Sequence, residues 1–199
     1  LEIVDMSTHQ MNKPEFDSDK ENNLLLKSLN KVPFLTVDDV VIPQSKSIER
    51  FLARRFGLMG TNELESARID SICECVVDFK NMYQKVRVAE NKDEAMNEWF
   101  TVTLVEKLSL LENLLGIEQC NSNSEHTNHK SSCCCHFSVG DQISLADIVL
   151  YSFITNFFDN KEASMNATLA TPKLRNIIKK VDELPEIQKW LKDRPKTDF

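Results

Sequence analysis

Residues 31–57, KVPFLTVDDVVIPQSKSIERFLARRFG, change their apolar period once, and the change locates two kinds of structure. Residues 33–37 and 40–42 are short runs rich in β-branched and apolar side chains, joined by Asp38-Asp39. Two residues between two such runs predict a β-hairpin, although Asp-Asp is a weaker turn than Asp-Gly. From Ile48 the apolar positions move to helical steps, Ile48, Phe51, Leu52 and Phe56, and Gly57 stands where a C-cap belongs. Two strands and a helix leave a sheet edge in want of a partner. Upstream, residues 1–8 alternate imperfectly and are expected to form a strand. Residues 9–31 are polar apart from 24–26, which predicts a loop and a short helix. The sequence opens on Leu1 inside an apolar stretch (Leu1, Ile3, Val4, Met6), so a further strand and helix are expected upstream of it.

Downstream the character becomes helical. Residues 57–62 read as a linker. Leu64, Ala67, Ile72, Val76, Phe79, Tyr83 and Val86 then recur at three- to four-residue steps. A second helix carries Trp99, Phe100, Val105, Leu108, Leu111, Leu114 and Leu115, and is expected to end at Gly116. Residues 118–138 are rich in Asn, Ser, His and Cys without any period, which predicts an inserted loop. Residues 144–158 form a nearly all-apolar helix, to be buried on most sides. Shorter helices are expected at 172–183 and 185–192. The fold class is therefore α+β: an αβ unit over 1–58, then an all-helical unit over 62–199.

Composition narrows the function classes. With 199 residues, 41% hydrophobic and 28% charged, the chain is too apolar for disorder. Its net charge is 24 − 31 = −7, which makes nucleic acid and anionic membranes poor partners. Apolar runs such as 148–154 are far too short to span a bilayer. The six cysteines form no spaced disulfide framework, which indicates a reducing compartment, and neither a signal nor a transit peptide is recognisable.

Three local constellations stand out. Lys31-Val32-Pro33 opens a strand with a proline, either a cis bond with a purpose or an ordinary edge proline. Gln44-Ser45 opens a helix, whose free N–H groups and dipole suit a carboxylate. Simple capping is the alternative, but no Glu or Gln follows Ser45 at the third position to complete a capping box. Ser144 and Asp147 fit the N-cap and N3 positions of a buried helix, a structural role.

In this order and spacing, the three resemble the glutathione transferase superfamily. Val32-Pro33-Phe34-Leu35 is similar to the family's strand-opening Val-Pro, Gln44-Ser45 to its helix-opening pair, and Ser144-x-x-Asp147 to its C-terminal-domain cap. The helix over 62–90 and the ending Leu184-Pro185 to Arg194-Pro195 look most like the sigma class, which includes glutathione-dependent prostaglandin D synthases. The resemblance implies a truncated thioredoxin-like αβ domain followed by the helical one. It implies glutathione as co-substrate, with Val32 and Pro33 pairing its cysteinyl backbone and Gln44 and Ser45 holding its γ-glutamyl carboxylate. Lys27 and Lys31 become candidates for the glycyl carboxylate. Asp78 aligns with the acid that reaches glutathione in a partner subunit, with a solvated helix face as its alternative. Met82, Tyr83 and Phe199 are candidates for the electrophile's pocket, with ordinary packing as theirs. The Tyr that activates the thiol has no counterpart in residues 1–199 and is expected upstream.

The implied function is conjugation of the glutathione thiolate to small electrophiles, for detoxification or prostaglandin isomerisation, by a cytoplasmic homodimer. A non-catalytic binding or structural protein of the same fold is the alternative. A third reading rests on the insert alone, where His126, His129, Cys133, Cys134, Cys135 and His136 crowd one loop. Such a cluster can bind metal or undergo thiol oxidation, but its spacing matches no standard zinc site, and a low-complexity insertion is the simpler account.

Overall fold

The structure, a computed structural model, describes residues 14–23, 25–115 and 137–194. The expected strand at 1–8, Gly116, residues 118–136 of the insert and Phe199 lie outside them. The chain divides into two compact units, one ending at Phe56 and the other beginning at Gly57.

In the first unit, helix α1 (Pro14–Glu21) leads through a 3-10 turn (Leu26–Ser28) to strands β1 (Phe34–Val37) and β2 (Val40–Pro43). The strands pair antiparallel from Phe34↔Pro43 to Val37↔Val40. Asp38 and Asp39 both take positive φ, 48° and 65°. That is the conformation a two-residue hairpin needs to match strand twist, and aspartate tolerates it better than most residues. Helix α2 (Ser45–Arg55) packs on both strands. Gly57 then adopts φ +72°, the left-handed turn expected where the helix stops. Among the described residues, Leu25, Leu35 and Ala53 are the buried apolar ones of this unit.

The second unit is built around α6 (Leu145–Thr155), which buries eight of its eleven residues. It packs against α3 (Glu63–Arg87) on one side and α8 (Pro172–Asp182) on another. The remaining helices are α4 (Lys92–Glu98), α5 (Leu104–Leu114), α7 (Lys161–Asn166) and α9 (Pro185–Asp193). Periodicity did not indicate α7, whose six residues hold one buried side chain, Ser164. Nor did it indicate α4, and it read residues from Trp99 onward as one regular helix. Between α4 and α5, residues Trp99–Thr103 form a π-helical turn. No described helix is long and apolar enough to cross a membrane.

The starts of α3 and α6 are tied down by side chains. At α3, the Asn62 side chain accepts the Glu65 N–H at 2.9 Å. Glu65 reaches back to the N–H and hydroxyl of Thr61, at 2.6 and 2.8 Å. These bonds hold its carboxyl below the ordinary glutamate range. At α6, Asp147 accepts the Ser144 N–H at 2.8 Å, the Ser144 hydroxyl at 2.6 Å and the Ser138 N–H at 2.7 Å. The Ser144–Asp147 capping box is thus present, and Ser138, read as the end of the insert, belongs to the cap.

Candidate functional site

The hairpin register explains how two separate sequence motifs meet. Phe34↔Pro43 is the last pair of the ladder. Val32-Pro33 therefore leaves β1 at the same end at which Gln44-Ser45 leaves β2. The Val32-Pro33 peptide bond is cis, and both residues are exposed. Pro33 precedes the ladder, so its missing N–H costs no strand hydrogen bond.

Across from it, Gln44 is the N-cap residue of α2, with φ 72° and ψ 115°. Its carbonyl accepts the N–H groups of Ser47 and Ile48, at 2.9 and 3.0 Å. No side-chain cap covers this helix start among the described residues. Ser45 is the first helical residue and is exposed along with Gln44. The positive end of the helix dipole and the Ser45 hydroxyl consequently face outward, the arrangement that receives a carboxylate. Lys46 is not an additional free cation there, because Glu49 pairs with it at 2.7 Å.

Two further cations flank the same end. Lys27 lies on the 3-10 turn, which packs against β2, and Lys31 lies two residues before Pro33. Both are exposed, and among the described residues neither is paired with a carboxylate. Six of the expected site residues thus belong to one unit, and five of them, Lys31, Val32, Pro33, Gln44 and Ser45, lie next to one end of its hairpin in the chain.

The other expected residues lie in the helical unit. Asp78 is exposed on α3, and its charge, after burial, helps push the Cys75 thiol up. Met82 is half-buried on the same helix. Tyr83 is only 2% exposed and sits in an aromatic cluster. Its ring lies 5.5 Å from Trp99, 6.0 Å from Phe100, 5.7 Å from Phe157 and 4.9 Å from Phe158. Burial first, then Asp159, pushes the Tyr83 hydroxyl up. The second tyrosine, Tyr151, donates to Asp182 Oδ1 at 2.6 Å, and burial with that bond pushes its hydroxyl to about 12. These are the two tyrosines of the sequence.

Residues 77–194 match the profile of the glutathione S-transferase C-terminal domain. The chain belongs to the glutathione S-transferase family. It is 30% identical over 175 residues to glutathione S-transferase 1 of Ascaris suum, covering 85% of this chain and 76% of that one. It is 31% identical over 170 residues to the hematopoietic prostaglandin D synthase of Gallus gallus, covering 84% and 74%. It is 30% identical over 183 residues to S-crystallin 3 of Enteroctopus dofleini, covering 85% and 78%. Among solved structures, it is similar to the monomeric glutathione S-transferase Na-GST-3 of Necator americanus, with a TM-score of 0.72 and 27% identity over 93% of this chain and 82% of that one. Membership accounts for the α+β architecture of this transferase, with its hairpin-bearing unit and helical body. The Gln44 backbone is the feature that composition did not signal, since glutamine has no special tolerance for positive φ.

Proposed function

We propose that the chain is a glutathione transferase that holds glutathione at the open end of its hairpin and directs the thiol at a small electrophile. The observation that carries this reading is the meeting of the cis Val32-Pro33 bond and the uncapped α2 start at Gln44-Ser45. The Val32 backbone pairs with the cysteinyl backbone as a short added strand. Gln44 and Ser45 take the γ-glutamyl carboxylate, and Lys27 or Lys31 the glycyl carboxylate. The thiolate then attacks the electrophilic carbon; a sulfur–carbon bond forms, the leaving group departs with its electron pair, and the thiol proton passes to solvent. Lowering the thiol pKa by about two units takes ~2.7 kcal/mol of differential stabilisation.

Met82 is the better candidate for contact with the electrophile, since Tyr83 is packed behind its own aromatic neighbours. The reading extends to a two-fold homodimer in which Asp78 reaches the γ-glutamyl amine of glutathione bound to a second copy. It extends also to a cytoplasmic location, in keeping with Cys75, which is in no disulfide.

A second reading is binding without catalysis by a protein of the same fold; Tyr83 is buried among aromatic rings and Tyr151 donates its hydroxyl to Asp182. Calorimetric titration with glutathione tests the site: Ser45→Ala is expected to weaken binding by about tenfold or more, the loss of one hydrogen bond to a charged group. Unchanged affinity rejects the assignment of Ser45. Ultraviolet titration of the bound thiol separates the two readings, because only a transferase lowers its pKa.

A further inference from the structure

Tyr83 stands in a cluster of rings drawn from three stretches of the helical unit: α3 itself, the π-helical turn with Trp99 and Phe100, and Phe157 with Phe158 just after α6. Two polar atoms are enclosed within this cluster. Trp99 and Tyr83 are 1% and 2% exposed. Neither Trp99 Nε1 nor Tyr83 Oη has a hydrogen-bond partner among the described residues. We propose that these two atoms hold one buried water molecule, which bridges α3 to the π-helical turn.

A buried donor left bare loses its hydration and gains nothing in return, so two of them on touching side chains call for a shared occupant. Neither atom can swing away to a distant acceptor. Each is fixed on a rigid ring, and the Tyr83 ring is held by neighbours at 4.9–6.0 Å, among them Trp99 at 5.5 Å. Protein interiors packed this closely do not let such rings rearrange freely.

The chemistry of the pair selects the occupant. An indole nitrogen only donates, so the occupant must accept, which excludes a cation. A phenol hydroxyl both donates and accepts, so an occupant that also donates satisfies it fully. An anion is disfavoured by the electron-rich ring faces around the site. It is disfavoured also by Asp159, which follows Phe158 and whose charge, after burial, pushes the Tyr83 hydroxyl up. Arg87 acts against Asp159 but more weakly, and Lys80 lies over the Phe157 ring at 4.9 Å. Rings at contact distance leave no place for a larger ligand. Water is the neutral molecule of one heavy atom that accepts from Trp99 and exchanges a hydrogen bond with Tyr83, and two protein partners are enough to hold it. The site uses no residue of the hairpin unit, so it stands independently of the glutathione reading.

The test is a crystal structure of the full chain at atomic resolution, with a second crystal soaked in sodium bromide. One water is expected about 2.7–3.2 Å from both Trp99 Nε1 and Tyr83 Oη, with no anomalous signal from bromide at that place. Absence of density there, a bromide peak in its stead, or a direct hydrogen bond from either atom to a protein group would each overturn the proposal. Urea unfolding supplies an independent sign. In Tyr83→Phe the water loses one of its two partners, so the folding equilibrium constant should fall by about fivefold. A hydroxyl that is bare in the folded protein would give the opposite result, equal or higher stability on its removal, and that result would overturn the proposal as well.

Discussion

Replacing Asp147 by alanine removes the acceptor shared by the Ser138 N–H, the Ser144 N–H and the Ser144 hydroxyl, at 2.7, 2.8 and 2.6 Å. Ser138 and Ser144 are 0% and 1% exposed, so the two freed amides cannot turn to water. A buried donor left without a partner costs about 1–3 kcal/mol, and the hydroxyl can rotate to another acceptor, so the two amides set a loss of roughly 2–6 kcal/mol. Against this stands the carboxylate's own burial, which pushes its pKa up despite the hydrogen bonds that pull it down. Alanine relieves that burial, which moves the expected loss to about 2–4 kcal/mol. For a chain of this size each kcal/mol is worth roughly 2–4 °C, so the melting temperature should fall by about 5–15 °C. Asp147→Asn keeps one acceptor oxygen but sets an amide N–H₂ against the second donor, and should lose at least half as much. Urea unfolding followed by far-ultraviolet circular dichroism measures both variants. A loss below about 0.5 kcal/mol for the alanine variant would refute the reasoning, because it would mean that the two amides find other partners.

Four further perturbations test the joints of the helical unit. A Cβ on Gly60, at φ +76°, would stand 2.6 Å from Glu65 Cβ, whereas one on Gly57, at φ +72°, meets nothing within 4 Å. Gly57→Ala should therefore cost only the left-handed backbone penalty of about 1 kcal/mol, and Gly60→Ala more than that by chemical denaturation. Glu65→Gln should flatten the acid limb of the stability curve. The folded pKa of Glu65 lies below 4.5, so its contribution is present above that pH and is lost as pH falls through the folded value. Asp147 has the opposite sign: its folded pKa lies above 3.8, so its contribution grows more favourable as pH falls toward that value, and Asp147→Asn should remove this slope. Glu112 accepts the N–H groups of Lys173 and Leu174, at 2.7 and 3.0 Å, and so caps α8 from α5. Glu112→Ala should cost about 1 kcal/mol, as loss of a cap does, and speed hydrogen exchange at those two amides; unchanged exchange would show that the cap is redundant.

What was legible in the sequence was the part whose cause is local. The hairpin turn, the α2 start and the Ser144-x-x-Asp147 box each lie within four residues, and each was read at its observed place. The bonds that fasten elements to one another span longer gaps with no period: Ser138 to Asp147 across nine residues, Tyr151 to Asp182 across 31, Glu112 to Leu174 across 62. The same distinction governs the site. Val32-Pro33 and Gln44-Ser45 are joined by a tight hairpin, so reading the turn correctly was enough to bring them to one end. Tyr83 shows the opposite case. Helical spacing placed it on an apolar face but could not say whether that face lined a pocket or a core. The answer depended on rings brought from distant stretches, Trp99 and Phe100 from one and Phe157 and Phe158 from another, which no local period announces. With those four rings around it Tyr83 is 2% exposed, so the helical spacing that placed it on an apolar face was, among the described residues, the spacing of a core.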